Sequence, residues 1–252
     1  MLLAVDAGNT NLTVGAFSGN RLVRQWRIET DSRRPAAFYA RALRAPWRGL
    51  AKPTAAVFGS VVPALDAKLS AAIEKAFGLS AAAVTPRSKL GLRLKVKAPG
   101  QVGADRVLNA LALKATVGAP AIAIDFGTAT TFDCVDAAGD YVGGAILLGP
   151  NSAARALHEF TAKLPLARVR KPARAIGRDT VECLQAGLYF GYLGMIREVL
   201  ARTRAELPGS PRVVATGGLS GLFLKDLPEV RHEPDLTLHG LRIAHEILHH
   251  RP

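Results

Sequence analysis

The chain contains the stretch Ala4-Val5-Asp6-Ala7-Gly8-Asn9-Thr10-Asn11 near its N-terminus and a similar stretch, Ala123-Ile124-Asp125-Phe126-Gly127-Thr128-Ala129-Thr130, in its middle. Each is an apolar run followed by Asp, one further residue, Gly and then small residues, most of them hydroxyl or amide. A buried strand that ends in Asp-x-Gly presents a carboxylate at its end, and the glycine permits a tight turn whose N–H groups can face an anion. Two such turns predict a duplicated domain with a nucleotide between the halves.

The length and composition of the chain set limits on its class. Its 252 residues are enough for one large domain or for two of about 100–150 residues each. Hydrophobic residues make up 49% of it and can form a substantial core. No apolar run reaches the roughly 18 residues that a membrane-spanning helix needs. The segment Met1-Leu2-Leu3-Ala4-Val5-Asp6 lacks basic residues and meets an acid at once, so it is typical of a strand rather than a signal peptide. We expect no membrane partner.

The cysteine content indicates a cellular compartment. Cys134 and Cys183 form neither a C-x-x-C metal pair nor a disulfide framework. Disulfides are rare in reducing compartments, and so the sequence predicts a cytoplasmic protein.

The net charge of +13 admits nucleic acid, a membrane surface or an anionic metabolite as partner. Arginine and lysine are spread along the chain, and the densest run, Arg168–Arg174, contains four basic residues. This distribution favours a solvated basic surface that suits a phosphate-bearing substrate. We expect no specific nucleic-acid binding.

The first half alternates strand and helix patterns up to a Gly-Ala-Pro break at residues 118–120. The predicted strands are Leu2–Asp6, Leu12–Phe17, Leu22–Ile28, Ala55–Val61 and an exposed edge strand, Leu90–Lys97. The predicted helices are Pro35–Leu43, Ala64–Phe77 and Ala104–Val117.

The second half repeats the pattern, which predicts an α/β fold of two similar domains, residues 1–118 and 119–252, with mixed sheets flanked by helices. Its predicted strands are Ala121–Asp125, Thr131–Val135, Tyr141–Leu148 and Arg212–Ala215. Its predicted helices are Ser152–Phe160, Thr180–Ala205 and Leu238–His249. Glycines along the second of these helices permit close packing, and we expect that packing at a subunit boundary.

The first group of candidate functional residues lies at the N-terminal turn. Asp6 can hold Mg²⁺ directly or through water, and the amides after Gly8, with the side chains of Asn9 and Thr10, can bind phosphate. Thr13 belongs to the same group. The structural alternative is an ordinary strand end with an Asx-type turn. The sequence has no G-x-x-x-x-G-K-[ST] motif and no protein-kinase catalytic loop, which disfavours both of those ATP-binding classes.

The second group is Gly103-Ala104-Asp105-Arg106, at the start of a predicted helix. Asp105 can act as general base for a substrate hydroxyl, and Arg106 can pair with a substrate carboxylate. The structural alternative is a helix cap or a first-turn acid.

The second half contributes two more groups. Asp125, with Thr128, Thr130 and Thr131, suits phosphate or a weakly held cation. Thr216-Gly217-Gly218 follows a strand and leaves room for a flat base. His245 and His249 are spaced i, i+4, but no acid or cysteine lies near them in sequence, so a surface position is favoured over a metal site.

The order of these motifs along the chain resembles that of type III pantothenate kinases, in the actin/hexokinase-like (ribonuclease H-like) ATPase superfamily. The motifs that carry the resemblance are Asp6-Ala7-Gly8-Asn9-Thr10-Asn11 with Gly15, Val102-Gly103-Ala104-Asp105-Arg106, Asp125-Phe126-Gly127-Thr128-Ala129-Thr130-Thr131, Gly143-Gly144-Ala145-Ile146, Thr161-Ala162-Lys163-Leu164-Pro165, Gly177-Arg178-Asp179-Thr180 and Thr216-Gly217-Gly218.

The resemblance implies ATP-dependent phosphorylation of the pantothenate hydroxyl, the first step of coenzyme A biosynthesis. It implies Asp105 as the catalytic proton acceptor, Asp6 at Mg²⁺, and Asp125 at a monovalent cation, K⁺ or NH₄⁺. It also implies a homodimer formed through helices of the second domain. The ATP-binding residues that it implies are Asp6, Ala7, Gly8, Asn9, Thr10, Asn11, Leu12, Thr13 and Thr128. The pantothenate-binding residues that it implies are Gly103, Ala104, Asp105, Arg106 and, in the neighbouring subunit's site, Thr180.

Two positions depart from the family pattern, since Val96 stands where many members have an aromatic residue and Ala98 where an Asn often precedes the proline. Both concern the wall of the pantothenate pocket. Two other functions remain open: another small-alcohol kinase or a phosphatase on the same fold, and a basic, nucleic-acid-binding regulatory relative without the chemistry.

Overall fold

The computed structural model describes residues 1–249 and divides the chain into two compact units. The first unit contains Met1–Thr116 and the C-terminal segment that begins at Leu236, and the second contains Val117–Asp235. The sequence analysis divided the chain after residue 118 and assigned the C-terminal helix to the second half. The structure instead places that helix in the first unit, because its apolar side chains pack there.

The elements alternate along the chain as expected for an α/β fold. The strands are β1 (Leu2–Ala7), β2 (Asn11–Ser18), β3 (Arg21–Glu29), β4 (Ala55–Ser60), β5 (Ala81–Val84), β6 (Ala121–Phe126), β7 (Ala129–Val135), β8 (Tyr141–Leu148), β9 (Arg212–Thr216) and β10 (Arg231–His232). The helices are α1 (Ala36–Arg44), α2 (Pro63–Phe77), α3 (Ala104–Ala112), α4 (Pro150–Glu159), α5 (Thr180–Ala186), α6 (Tyr192–Glu206), α7 (Ser220–Phe223) and α8 (Leu236–His249).

The two sheets have the same topology. Over residues 1–249, the first has the strand order β3-β2-β1-β4-β5 and the second the order β8-β7-β6-β9-β10. In each, an antiparallel three-stranded meander is extended by two parallel strands. The predicted duplication and the mixed sheets are therefore confirmed.

The first sheet is covered by helices on both faces. Successive β1 side chains point in opposite directions and therefore contribute to a core on each face. Leu3, Val5 and Ala7 belong to the core under α1 and α2. Leu2 and Ala4 belong to the core formed with α3 and α8. Asp6 follows the second alternation and therefore points toward the α3 and α8 side.

Helix α8 packs tightly on α3. Leu238, Leu241 and Ala244 of α8 are buried in the same core as Leu108 of α3. A side chain at Gly240 would collide with the backbone carbonyl of Leu108, so this close approach requires glycine. The packing explains why the C-terminal helix belongs to the first unit.

The prediction of an edge strand over Leu90–Lys97 was wrong, because this segment is irregular apart from a single bridge at Leu94. Its apolar side chains still face inward: Leu90 is buried, and Leu92 and Leu94 pack on the α3–α8 core. Alternation reports which side of a segment is buried, and that burial does not require a neighbouring strand.

The helices of the second unit cover a core built on stacked aromatic rings. Phe223 lies between Phe126 and Tyr189, with ring centroids 5.4 Å and 5.1 Å apart respectively. The predicted helix over Thr180–Ala205 is present as α5 and α6, which are joined by a π-helical turn, Gly187–Gly191. No helix within the described part of the chain is long and apolar enough to cross a membrane.

Candidate active site

The first Asp-x-Gly motif forms the turn between β1 and β2. The Gly8 N–H donates to the carbonyl of Asn11 at 3.1 Å, which closes the turn and leaves Asn9 at its exposed tip. Ala7 and Leu12 flank the turn and are fully buried, so their side chains serve the core. In the registers of the sheet, Asp6 lies opposite Thr13 on β2 and opposite Gly59 on β4.

Helix α3 begins over the end of β4, next to this turn. A side chain at Gly59 would come within 2.7 Å of Leu108 and 3.5 Å of Ala104, both on α3. Since Gly59 is the register partner of Asp6, the first turn of α3 lies beside the carboxyl end of β1. Within the first unit, the structure thus brings together the Asp6 turn and the Gly103–Arg106 group.

Asp105 is the second residue of α3, whose N-cap is Gly103 without a side-chain cap. Its Oδ1 accepts a hydrogen bond from the Arg106 N–H at 2.8 Å. The carboxylate is therefore a first-turn acid that satisfies one helix N–H, and it remains half exposed.

The second Asp-x-Gly motif forms the turn between β6 and β7. Asp125 lies opposite Thr131 on β7 and opposite Thr216 on β9. Gly217 follows with a φ of +86°, and a Cβ there would collide with Asp125 Oδ1 and with the backbone of Phe126. Only glycine combines this conformation with so close an approach, so the Thr216-Gly217-Gly218 turn lies against Asp125.

The threonines near Asp125 have different environments. Thr128 is exposed, and its carbonyl accepts from the Gly149 N–H at 3.0 Å and from Ser152 Oγ at 2.7 Å. Thr130 is buried and bonds the Tyr192 hydroxyl, and Thr131 Oγ1 donates to Asp133 at 3.1 Å. Thr130 and Thr131, which the sequence analysis included as phosphate or cation candidates, therefore make internal contacts.

A buried tyrosine lies behind the second turn. Burial raises the pKa of Tyr192 to about 12; the hydrogen bond with Thr130 opposes the rise and the negative charge of Asp125 adds to it. The phenol is therefore neutral at physiological pH.

Thr180 is the first residue of α5. Its predecessor Asp179 caps the helix by accepting from the Glu182 N–H at 2.8 Å, and Glu182 accepts from the Arg178 N–H at 2.9 Å. Thr180 is exposed and lies at an apolar groove of the second unit.

The acidic, histidine and cysteine side chains of the described residues limit which metal sites the protein can form. Within residues 1–249, no group of three or more His, Cys, Asp or Glu residues could hold a metal ion. His245 and His249 lie ring to ring at 4.0 Å, without such a group. A lone carboxylate fits Mg²⁺ that keeps waters and phosphate oxygens as its other ligands, and Asp6 is of that kind. Asp125 fits a weakly held cation, because a Cβ at Gly217 would fill the space beside its Oδ1.

Sequence reasoning missed the residues that hold the two turns. Thr30 Oγ1 donates to the Gly8 carbonyl at 2.7 Å, and the Thr30 N–H donates to the Thr10 carbonyl at 3.0 Å. Gly149 and Ser152 do the same for the second turn. Each set follows the third strand of its sheet, and only the sheet topology reveals that this position meets the turn.

Two mixed sheets of equal topology, each with an Asp-x-Gly turn, give the chain the actin/hexokinase-like fold. Two solved structures share the fold. An ethanolamine utilization protein, EutJ, from Carboxydothermus hydrogenoformans is 15% identical, with a TM-score of 0.57, and covers 96% of this chain and 88% of its own. An activator of the 2-hydroxyisocaproyl-CoA dehydratase from Clostridium difficile, with bound ADPNP, is 10% identical, with a TM-score of 0.55, and covers 98% and 95%.

Residues 2–202 match the family model for type III pantothenate kinase. The type III pantothenate kinase of Moorella thermoacetica is 42% identical over 251 residues, 98% of this chain and 99% of that protein. The one from Rhodospirillum centenum is 44% identical over 257 residues, 98% of each. The chain belongs to the type III pantothenate kinase family, whose members phosphorylate pantothenate in coenzyme A biosynthesis, and the resemblance inferred from the motifs is confirmed.

Proposed function

We propose that this chain transfers the γ-phosphoryl group of ATP to the hydroxyl of pantothenate, with Asp105 as the general base. Family membership supports the reaction. The single observation that supports the assignment of residues is the start of α3 beside the end of β1, because it brings the base and the phosphate turn into one neighbourhood.

The residues of the first turn bind the phosphates of ATP. The segment Asp6–Thr13 supplies backbone amides and the exposed side chains of Asn9 and Asn11. The N–H of Gly8 itself is bonded to the Asn11 carbonyl. Thr128 is a further ATP ligand.

The residues at the start of α3 bind pantothenate and move the proton. Gly103–Arg106 contact the substrate, and Arg106 pairs with its carboxylate. Asp105 orients the pantothenate hydroxyl and accepts its proton as the oxygen attacks the γ-phosphorus and the bond to the β-phosphate oxygen breaks. A carboxylate is a weak base, but phosphoryl transfer requires mainly positioning and late proton removal.

Two cations complete the charge balance. Asp6 holds Mg²⁺ directly or through water, and Asp125 holds K⁺ or NH₄⁺. When bound, these ions offset the negative charge of the polyphosphate, which a P-loop lysine does in other ATPases.

The enzyme acts as a homodimer, and the surface of the second unit supports this proposal. In the described chain, the exposed large apolar side chains lie between residues 146 and 195. They are Ile146, Leu148, Leu157, Phe160, Leu166, Ile176, Val181, Phe190 and Met195. Among them is a groove of about 560 Å³, lined by α4, α5, α6 and the π-helical turn, with Thr180 on its lining. Contiguous exposed apolar surface of this kind marks an interface.

The same proposal makes Thr180 a pantothenate ligand in the partner's site, which a mixing experiment tests. Asp105→Asn and Thr180→Ala are each expected to be weak as homodimers. If Thr180 acts across the interface, subunit exchange restores roughly a quarter of wild-type activity, because half of the dimers are mixed and each has one intact site. If the subunits are shown to have exchanged and the mixture still recovers no activity, Thr180 does not act in the partner's site. A monomeric wild-type protein in sedimentation would refute the dimer, and Met195→Asp is expected to give monomers.

The reaction itself is tested with the purified protein, Mg²⁺, K⁺ and ATP, with and without pantothenate. The proposal predicts ADP formation that depends on pantothenate and a phosphorylated product. A rate of ATP hydrolysis that is the same with and without pantothenate would refute pantothenate as the substrate. A cytoplasmic location is part of the same proposal and is supported by the two free cysteines, Cys134 and Cys183.

A further inference from the structure

A short segment after β3 lies against the phosphate turn. Thr30 holds the turn at two points, through its hydroxyl to the Gly8 carbonyl (2.7 Å) and through its N–H to the Thr10 carbonyl (3.0 Å). These two carbonyls flank Asn9, at the tip of the turn. The orientation of the peptide planes there is therefore set by Thr30 as well as by the turn's own Gly8–Asn11 bond.

The same segment is anchored in the core on its other side. The Tyr39 hydroxyl donates to the Asp31 carbonyl at 2.8 Å and accepts from the Asp31 N–H at 3.0 Å, and Tyr39 is fully buried in α1. Lys68 of α2 donates to the Ser32 carbonyl at 2.5 Å. These hydrogen bonds, together with the backbone of residues 30–32, connect helices α1 and α2 to the two carbonyls that flank Asn9.

We propose that Thr30 is a positioning residue for ATP, which holds the Gly8–Thr10 turn in the conformation that binds the polyphosphate. Amides preorganised toward an anion bind it without a further ordering cost, and a turn that loses an anchor must be ordered by the ligand instead. The inference rests on the proposed function, because the expected change in KM assumes that the polyphosphate bound by the turn is that of ATP.

Thr30→Val removes the hydroxyl and keeps the shape of the side chain, and Thr30→Ser keeps the hydroxyl. We expect Thr30→Val to raise the KM for ATP roughly tenfold while the KM for pantothenate stays nearly constant, and Thr30→Ser to remain close to wild type. Because the Gly8 carbonyl lies at a partly exposed turn, water can replace the lost bond, and the melting temperature should change little.

The matched control is Thr116→Val. Thr116 is exposed, and its hydroxyl likewise donates to a backbone carbonyl, that of Ala112, at 2.8 Å, within the helical turn that follows α3. This variant is expected to keep the wild-type KM for ATP. Equal effects of Thr30→Val and Thr116→Val, or equal effects of Thr30→Val and Thr30→Ser, would show a merely structural role and overturn the proposal.

Direct binding of ADP, measured by calorimetry, separates this inference from the proposed function. If Thr30→Val weakens ADP binding roughly tenfold in a protein without pantothenate-dependent activity, the positioning role stands and the acceptor is wrong. If the wild type is active with pantothenate but Thr30→Val binds ADP and uses ATP as the wild type does, the positioning role is wrong and the reaction stands.

Discussion

The turns at Asp6 and at Asp125 have the same position in their sheets, but they differ in length and in the segments packed against them. Each joins the first two strands of its sheet, has a parallel strand on its other side, and is held by hydrogen bonds from residues that follow the third strand. The first loop has three residues, Gly8 to Thr10, and the second has two, Gly127 and Thr128. The first turn lies beside the start of α3, whereas the second is covered by the Gly217 turn, with Tyr192 behind it.

Under the proposed function, this difference assigns two tasks to the two halves of a duplicated scaffold. In the proposal, the longer loop offers amides and an exposed Asn9 for phosphates. In the proposal, Asp125 holds a small cation beside the shorter loop, where the Gly217 backbone lies against the carboxylate. The duplication supplies the frame, and the segments packed on each turn determine its role.

The largest effect is expected at Asp105, the proposed general base, which belongs to neither of the two turns. Asp105→Asn keeps an oxygen that can accept from the Arg106 N–H, so the helix should form normally. We expect kcat to fall by about 10²–10⁴, the usual contribution of a general base. The rate of pantothenate phosphorylation at saturating substrates measures it.

Asp66→Asn is the matched control, since Asp66 is the first-turn acid of α2. It should cost about 0.3–1 kcal/mol of helix-dipole stabilisation and leave kcat unchanged. A near-normal kcat for Asp105→Asn would reduce Asp105 to the same helical role.

A smaller effect is expected at the anchor of the second turn. Ser152→Ala removes one of the two donors to the Thr128 carbonyl, and the Gly149 N–H remains. We expect the KM for ATP to rise about 2- to 10-fold, the factor that corresponds to one net hydrogen bond. An unchanged KM for ATP, together with a raised one in Thr30→Val, would mean that only the first turn contacts the nucleotide.

The smallest effect concerns stability at alkaline pH in the second unit. The pKa of Tyr192 is about 12 in the folded protein, against about 10 for an unperturbed tyrosine, so the folded state holds this proton more tightly. The contribution of the Tyr192 proton to the free energy of unfolding is complete below pH 10 and is lost as the pH rises from 10 to 12. Tyr192→Phe should lower the free energy of unfolding at pH 8 by about 1 kcal/mol, because the bond with Thr130 is lost. Between pH 10 and 12, the free energy of unfolding should fall less in this variant than in the wild type.

Urea unfolding of both proteins across this range measures the difference, and residues other than Tyr192 titrate equally in the two. Parallel stability curves would contradict the raised pKa.

Much of the fold was predictable because the evidence for it is local. The Asp-x-Gly ends of β1 and β6, the hairpins that follow and the glycine pair after β9 are visible in the sequence, and together they predicted both mixed sheets. The segment Leu90–Lys97 was predicted wrongly because alternation reports burial and not strand pairing. The return of α8 to the first unit was missed because it depends on a contact between Gly240 and Leu108, far apart in sequence.

The candidate site was predicted in the same uneven way. Carboxylates at strand ends and at a helix start are recognisable from their neighbours, and so Asp6, Asp105 and Asp125 could be selected as candidates, whose roles stay predictions. Thr30, Gly149 and Ser152 were missed because a threonine or serine after a strand has no distinctive pattern. Their contact with the turns exists only once three strands have paired.

The most direct test of the division of tasks is the response of pantothenate-dependent ADP formation to K⁺, Na⁺ and Mg²⁺ in the wild type, Asp6→Asn and Asp125→Asn. The wild type should lose most of its activity when Na⁺ replaces K⁺. Asp125→Asn should be weak and equal in both ions, whereas Asp6→Asn should be weak, require more Mg²⁺ and still prefer K⁺. A K⁺ preference that survives in Asp125→Asn, or vanishes in Asp6→Asn, would contradict the account.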